Sequence, residues 1–440
     1  MDSPLLIGAA VVLFLLAFAR TEFALYVLVF SMLLSPEITA SAGGLAERRN
    51  VTVRTEDFVL LVIGFSWLAK TAVHKELGLV ARTPLNRPII AYVAVNLIAT
   101  LLGSLMGSVQ TAAGYFYVLK YIEYFVVYFM VVNNLRDRAH AWRLLTAALV
   151  TAVIVSVIGL TQIPSGERVS APFEGEAGEP NTLGGYLLFM MAIAAGIALE
   201  STGLAVRGRF VALVGLMAAP FAFTLSRASY PGVIPAFLAL LALTTRRRTL
   251  IALALVLVVC SPILLAIAPA SVVNRVLYTF EPEANQATVR VGRIALDPST
   301  SARILSFQDA LSGWLQRPIL GYGVTGFGFM DAQYARVLVE TGIVGFLSFV
   351  WLLWSVLKAA RTAHCQVQDP LDRGLVLGFI AGTFGLLVHA IGSNTFIVIR
   401  IMEPFWLVAG IVVMLPVLRD ESRRNASAPL APPASAAVWR

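Results

Sequence analysis

Arginine and carboxylate side chains recur in a polar stretch, from Arg303 to Gly345, that interrupts an otherwise apolar sequence. Arginine stays charged and can bind phosphate oxygens through two parallel hydrogen bonds, and both Arg303 and Arg317 lie here. Asp331 and Glu340 are carboxylates that can accept a proton from a hydroxyl within hydrogen-bond reach. Because the rest of the chain is predicted to span a membrane, this stretch must lie in water beside the bilayer, where chemistry on hydrophilic groups is possible.

The composition identifies an integral membrane protein. The 440 residues are 58% hydrophobic and 13% charged, against about 25% charged residues in average soluble domains, and the mean hydropathy is +0.81. Apolar runs approach the roughly 20 residues that cross a bilayer as helix. They cover 4–19, 22–36, 57–73, 88–107, 115–133, 142–163, 180–199, 208–225, 229–244, 249–268, 336–358, 374–392 and 404–418. We therefore predict an all-α polytopic transmembrane bundle of about 12–13 spans, with the first run retained rather than cleaved.

Arg and Lys clusters in the short connections set the predicted orientation. Six clusters fall on one side, near residues 75–87, 136–143, 207–209, 246–248, 358–373 and 419–424, and the positive-inside rule makes that side cytoplasmic. The connections predicted to face outward are 37–56, 164–180, 226–228, 269–335 and 393–403. The net charge of +8 is thus mainly a topology signal. A nucleic-acid partner is not predicted, because the charge is scattered rather than gathered in one stripe.

One transmembrane domain, residues 1–424, is predicted to contain a large outward loop at 269–335. Within the loop Ile304, Phe307, Leu311 and Leu315 recur at helical spacing and predict an amphipathic helix along the membrane surface. Residues 425–440 are rich in Ala, Pro and Ser and predict a disordered cytoplasmic tail. Cys260 and Cys365 are predicted to lie apart, and no Cys/His cluster indicates a metal site.

The polar stretch resembles the core motif of the O-antigen ligase and O-antigen polymerase superfamily. The matching residues are Arg303, Trp314, Pro318, Gly321, Gly323, Tyr334, Glu340, Gly342 and Gly345, followed by a long apolar span. Pro180 to Gly184 at the start of one span and Ser226 to Ser229 at an outer helix end agree with the same family. The resemblance extends to the setting, a large periplasmic loop near the C-terminal end of a polytopic protein.

The resemblance implies an enzyme of the bacterial inner membrane whose active face is periplasmic. Such glycosyltransferases act on glycans carried by undecaprenyl diphosphate and use no metal, cofactor or nucleotide sugar. A ligase transfers the glycan to lipid A core, whereas a polymerase transfers it to the next lipid-linked repeat unit. Ligases usually carry His nine residues before the motif Glu, and Asp331 occupies that position here. The departure favours a polymerase for exopolysaccharide or capsule, with a flippase and a chain-length regulator as expected partners.

Two alternatives stay open. A ligase of the same superfamily would differ in its acceptor. A lipid-linked glycan flippase or secondary transporter would also have many spans with buried charges. Neither an inverted repeat nor a matched pair of Gly/Pro-broken spans supports the transporter.

By the same resemblance, the site residues divide into a base and a set of cations. Asp331 is the first candidate for the general base and Glu340 the second, and direct attack by the acceptor would invert the anomeric centre. Cations would stabilise the leaving diphosphate; the candidates are Arg227, Arg303, Arg317, Lys120 and Arg400, with Arg303 the strongest.

Structural roles compete with these assignments. Asp331 could cap the next helix, and Glu340 could pair with a neighbouring arginine. Arg227 could reach the membrane interface from a helix end. Lys120 is favoured to pair with Glu123, its neighbour on one helix face, and His389, in an apolar run, is expected to satisfy a buried polar contact.

Overall fold

The computed structural model describes residues 3–38, 53–73, 81–109, 111–174, 178–252, 255, 290–291, 294–295, 298–328 and 330–427. Helices dominate these ranges, and the all-α prediction is confirmed. The helices are α1 (Ser3–Ala19), α2 (Thr21–Leu34), α3 (Thr55–Val73), α4 (Asn86–Leu105), α5 (Thr111–Asn134), α6 (Arg138–Gln162), α7 (Pro180–Glu200), α8 (Leu204–Phe223), α9 (Ser229–Leu243), α10 (Pro298–Gln316), α11 (Gln333–Gln366), α12 (Pro370–His389) and α13 (Ile399–Ser427).

Extended structure is limited, in the part of the chain described, to two antiparallel pairs of two-residue strands. β1 (Glu37–Ile38) pairs with β2 (Val53–Arg54), and β3 (Arg290–Val291) pairs with β4 (Ile294–Ala295). The first pair brings the start of α3 next to the end of α2, which matters below because Arg54 faces the candidate site.

Among the described residues, eight helices are long and apolar enough to cross a membrane: α4, α5, α6, α7, α8, α11, α12 and the part of α13 up to Leu418. The apolar helices α2 and α9 and the apolar part of α1 are shorter. Each predicted apolar run that lies among the described residues is helical. The predicted span 249–268 and the loop residues 269–289 lie almost wholly outside those residues. Of the predicted tail, 425–427 complete α13 and the remainder is outside.

The core of the bundle is built around α7, α12 and α13. Glycines recur on the face of α12 that meets α7, and small residues let helix backbones approach closely without a gap for lipid. A Cβ on Gly196 of α7 would lie 2.4 Å from the backbone nitrogen of Gly378. On the other side of α13, Trp406 packs against Tyr124 and Phe125 of α5. The α13 helix therefore packs against α7 and α12 on one side and against α5 on the other.

The loops separate into two groups, as the basic clusters predict. At one end Arg400 reaches the carbonyls of Pro172 and Ser35. At the other end Arg138 of α6 pairs with Asp369 and Asp372 at the start of α12. All the predicted outward connections that the structure describes meet at the first end, which we call the site end; which compartment each end faces remains a prediction.

Candidate active site

A polar cavity of about 420 Å³ opens among the loops at the site end. Four basic side chains line its wall, together with carboxylate and amide groups; the main lining residues are Arg54, Lys120, Arg168, Arg336, Glu56, Glu179, Asn181, Asp331 and Asn394. They come from six separate segments of the chain. A space of this size and polarity fits sugar residues with their hydroxyl groups.

An apolar cleft of about 760 Å³ lies beside the cavity, between α9, α10 and the end of α12. Its walls include Tyr230 and Ile234 of α9 and Ile304 and Phe307 of α10. Ile234 is 63% exposed and Phe307 48% exposed, so the cleft is open rather than closed over. Its apolar walls fit a lipid chain.

Arginines line the same cleft. Arg227 lies just before α9, and Arg303 lies on α10 beside Ile304. The predicted amphipathic helix is thus confirmed as α10. Its apolar side chains form a wall of the cleft while its arginine adds positive charge, a combination suited to a lipid with an anionic head.

The cavity and the cleft meet at two polar contacts. Arg303 Nη2 lies 3.6 Å from Asp331 Oδ2, and Asp331 lines the cavity while the next residue, Ala332, lines the cleft. Ser226, which precedes Arg227, donates a hydrogen bond of 2.8 Å to Asn181 Oδ1 in the cavity wall. The structure therefore brings together three of the predicted site residues: Arg227, Arg303 and Asp331.

Asp331 is held in place by the loop between α12 and α13. Asn394 Nδ2 donates to the carbonyl of Met330 at 2.8 Å and lies 3.5 Å from Asp331 Oδ1. Burial raises the pKa of Asp331, and the neighbouring Arg303 opposes that rise. A carboxylate whose pKa is raised binds a proton more readily, which suits a general base.

Glu340 is buried in the bundle rather than facing the cavity. Arg336, one turn earlier on α11, contacts both carboxylate oxygens through Nε at 3.2 Å, and the backbone N–H of Thr325 donates to Oε1 at 3.0 Å. These contacts match the structural role weighed for Glu340 in the sequence. Of the two carboxylates predicted as candidates for the base, Asp331 is the one that lines the cavity.

Glycines of the motif let the backbone of α11 pack directly against residues 318–321, next to Glu340. We call this backbone contact the interlock. α11 is broken at Gly342, which has φ of 65°, and the N–H of Ile343 donates to the carbonyl of Pro318. A Cβ on Gly342 would lie 2.2 Å from the carbonyl oxygen of Ile319. Because only glycine fits this backbone and this spacing, the segment that follows α10 is locked against the kink in α11.

Lys120 lines the cavity but is already paired. It contacts Asp57 of α3 and lies 3.5 Å from Glu123, in line with the ion pair favoured from the sequence. Arg336 is its neighbour across the cavity wall, with its guanidinium 5.8 Å from the ring of Tyr117. Lys120 thus lines the same cavity as Asp331 but is not among the residues that line the cleft.

Arg400 and Arg317 lie outside both the cavity and the cleft. Arg400 is fully buried, and besides the two carbonyls it lies 3.6 Å from Glu174. Burial raises the pKa of Glu174 to about 7, with Arg400 opposing the rise. Arg317 donates to Ser108 Oγ at 3.1 Å and stacks 4.5 Å from the centre of the Tyr322 ring. The structure therefore does not bring these two predicted diphosphate ligands to the cleft.

His389, as expected, satisfies a buried polar contact: its Nδ1 lies 2.6 Å from Thr395 Oγ1. Over the described ranges, no histidine lines the cavity or the cleft, and no three His, Cys, Asp or Glu side chains form a group of metal ligands.

Three arginines of the cavity wall are not among the site residues predicted from the sequence. Arg168 donates from Nε to the carbonyl of Thr224 at 3.0 Å, Arg54 lies 3.8 Å from Glu56, and Arg336 pairs with Glu340. The sequence contains a feature that could have identified each of these arginines. Arg54 and Arg168 lie in predicted outward loops, against the positive-inside bias, and Arg336 is an ionisable residue near the start of an apolar span.

One of the comparisons with known proteins finds a match for this chain. Comparison with curated proteins finds no match for the chain. A protein-family model described as O-antigen ligase matches residues 212–350, a segment that runs from α8 into α11 and contains Arg227, Arg303, Asp331 and Glu340. The resemblance stated from the motif is thereby confirmed. Over residues 212–350 the chain is thus similar to the O-antigen ligase family.

Proposed function

We propose that this protein is a polysaccharide polymerase that transfers an undecaprenyl-diphosphate-linked glycan onto a lipid-linked acceptor repeat unit at the periplasmic face of the inner membrane. The observation that carries the proposal is the junction of two spaces at Arg303 and Asp331, one apolar and open, the other polar and lined by loops. A lipid-linked donor and a sugar acceptor need two such spaces that share a boundary.

The donor lies with its lipid chain in the apolar cleft and its diphosphate near Arg227 and Arg303. The glycan then extends toward the polar cavity. As the bond between the anomeric carbon and the phosphate oxygen breaks, negative charge grows on the leaving diphosphate. Two guanidinium groups stabilise that charge through bidentate hydrogen bonds.

The acceptor sugar lies in the cavity with its hydroxyl at Asp331. The carboxylate takes the hydroxyl proton while the oxygen attacks the anomeric carbon from the side opposite the diphosphate. One glycosidic bond forms, one carbon–phosphate-oxygen bond breaks, and undecaprenyl diphosphate leaves. The single displacement inverts the anomeric centre without a covalent enzyme intermediate, and no metal or cofactor takes part.

A carboxylate at the position of the usual ligase histidine supports the polymerase over the ligase. Asp331 lies 3.6 Å from Arg303 of the cleft, and in the described part of both spaces histidine is absent from the lining. The ligase remains the second candidate, because the family match is to O-antigen ligase.

The test is transfer by the purified full-length protein in liposomes that contain a lipid-diphosphate-linked repeat unit. The polymerase produces a ladder of products that differ by one repeat unit, with one undecaprenyl diphosphate released for each bond. Product formed only when lipid A core is added would assign the ligase and overturn the polymerase. Movement of the substrate across the bilayer with no new glycosidic bond would instead identify a flippase.

A further inference from the structure

A second pocket lies at the end of the bundle opposite the site. It encloses about 480 Å³ between the residues that precede α4, the second half of α11 and the end of the apolar part of α13. From Ile343, just after the kink in α11, to Lys358 the helix rises about 22 Å at 1.5 Å per residue. This is well over half the thickness of a bilayer core, about 30 Å, so the pocket belongs to the other leaflet.

The charges of this pocket have one sign. Arg82 and Lys358 line it, and no Asp or Glu is among its lining residues in the described part of the chain. Both basic side chains are exposed. The hydroxyls of Thr83 and Thr362 donate within the protein, to Asn86 Oδ1 and to the Lys358 carbonyl, and Gln366 adds a side-chain amide to the wall. The guanidinium and the ammonium group are the charged hydrogen-bond donors that a phosphate group can use.

Most of the other lining residues are apolar, and several of them are exposed on the outer surface of the bundle. Trp351 and Val417 line the pocket and are 46% and 45% exposed. Trp351, Ser355 and Lys358 lie at helical spacing on one face of α11. Along this face the surface changes from aromatic to cationic over about 10 Å, which matches the passage from acyl chain to headgroup.

We propose that this pocket is a binding site for an anionic glycerophospholipid. The phosphate lies between Arg82 and Lys358, and the acyl chains lie along Trp351 and the apolar end of the α13 span. A zwitterionic lipid would add a positive choline or ethanolamine group next to two cations with no carboxylate in the pocket to receive it. Basic pockets between helices recognise anionic headgroups in this way, and the site is independent of the glycan-transfer proposal.

The test compares two lipids with the same acyl chains, phosphatidylglycerol and phosphatidylcholine, added to the delipidated full-length protein in detergent. Each cation near a bilayer surface favours an anionic lipid by about fivefold in affinity, so for two cations we expect a preference for phosphatidylglycerol of about 25-fold. Native mass spectrometry measures the bound lipid and the thermal midpoint measures its stabilisation. Equal binding of the two lipids to the wild-type protein would overturn the proposal.

Two variants and one control locate the effect. Arg82→Gln with Lys358→Gln should abolish the preference, and Ala359→Phe should weaken binding of both lipids by filling the pocket, since Ala359 lines it. Arg361→Gln is the matched control, because Arg361 is exposed on the same helix and does not line the pocket. A preference that survives in the double variant, or that is lost in the control, would contradict the assignment.

A third arm separates lipid from soluble phosphate. Glycerol 1-phosphate carries the same phosphate without acyl chains, and we expect it to give no stabilisation at concentrations where phosphatidylglycerol saturates. If glycerol 1-phosphate stabilises the wild-type protein as strongly as the lipid does, the pocket binds a soluble phosphate and the lipid assignment is wrong.

Discussion

Arg303 and Asp331 lie 3.6 Å apart between side-chain nitrogen and oxygen, yet they line different spaces. Arg303 belongs to the apolar cleft and Asp331 to the polar cavity. The contact joins the α10 helix to the residues that precede α11, and it puts a cation and a proton acceptor on either side of one boundary. For glycosyl transfer from a lipid diphosphate, that boundary is where the reacting bond would lie.

Substitution of either partner should impair glycan transfer in a different way. Asp331→Asn removes the proton acceptor, and we expect turnover to fall by about 10²- to 10⁴-fold. Arg303→Lys keeps the charge but loses the bidentate geometry, and a lost charge-assisted hydrogen bond of about 1.5–3 kcal/mol predicts a fall of about 10- to 100-fold. Transfer by purified protein measures both, and Arg361→Lys at the opposite end is the matched control. Unchanged product amount and length in Arg303→Lys would exclude phosphate binding by this residue.

The pH dependence of transfer should also depend on Arg303. Burial raises the pKa of Asp331 and Arg303 lowers it, so removal of the positive charge should raise the pKa further. A base acts only when deprotonated, and the acid side of the profile of kcat/KM against pH should therefore move to higher pH in Arg303→Gln. Arg303→Lys, which keeps the charge, should stay close to the wild type. An acid side that stays in place or moves to lower pH in Arg303→Gln would show that Asp331 is not the titrating base.

The sequence predicts the helices, the separation of the loops into two ends, and the α10 helix with its arginine. These follow from hydropathy, charge bias and helical spacing, all of which are local. The cavity wall is different, because Arg54, Arg168 and Arg336 meet only through packing of segments that are distant in the chain. Arg317 shows the converse: its predicted position in the outward loop suggested a ligand, but the turn that follows Pro318 places it against Ser108 and Tyr322.

The kink in α11 should be sensitive to a single methyl group. Gly342→Ala forces a positive φ on a residue with a Cβ, at about 1–3 kcal/mol, and the Cβ would also meet the Ile319 carbonyl oxygen at 2.2 Å. We expect a clear fall in thermal midpoint in detergent. Gly215→Ala in α8 is the control, since nothing lies within 4 Å of the added Cβ and alanine is the better helix former. Equal midpoints for the two variants would contradict the proposed interlock.

The Arg336–Glu340 pair should show a structural rather than a catalytic signature. Glu340→Leu leaves the buried Arg336 without its carboxylate, and such a loss costs about 3–5 kcal/mol. The double variant Arg336→Leu with Glu340→Leu removes both charges, and we expect it to recover much of the lost thermal stability. A double-mutant cycle on the thermal midpoint measures the coupling. If Glu340→Leu kept the wild-type midpoint while turnover disappeared, Glu340 would be a catalytic group instead.

Filling the apolar cleft should weaken binding of long lipid carriers without touching the arginines. Ile234→Trp adds bulk to the cleft wall, and we expect the KM for a long-chain lipid-diphosphate donor to rise while the KM for a short-chain analogue changes little. Val233→Trp is the matched control: Val233 is its neighbour on α9 and is 41% exposed but does not line the cleft. Because each buried CH₂ contributes about 0.8 kcal/mol, loss of contact with a few methylene groups should change the KM by more than tenfold. If the two tryptophan variants respond alike to donor chain length, the lipid chain of the donor does not lie in this cleft.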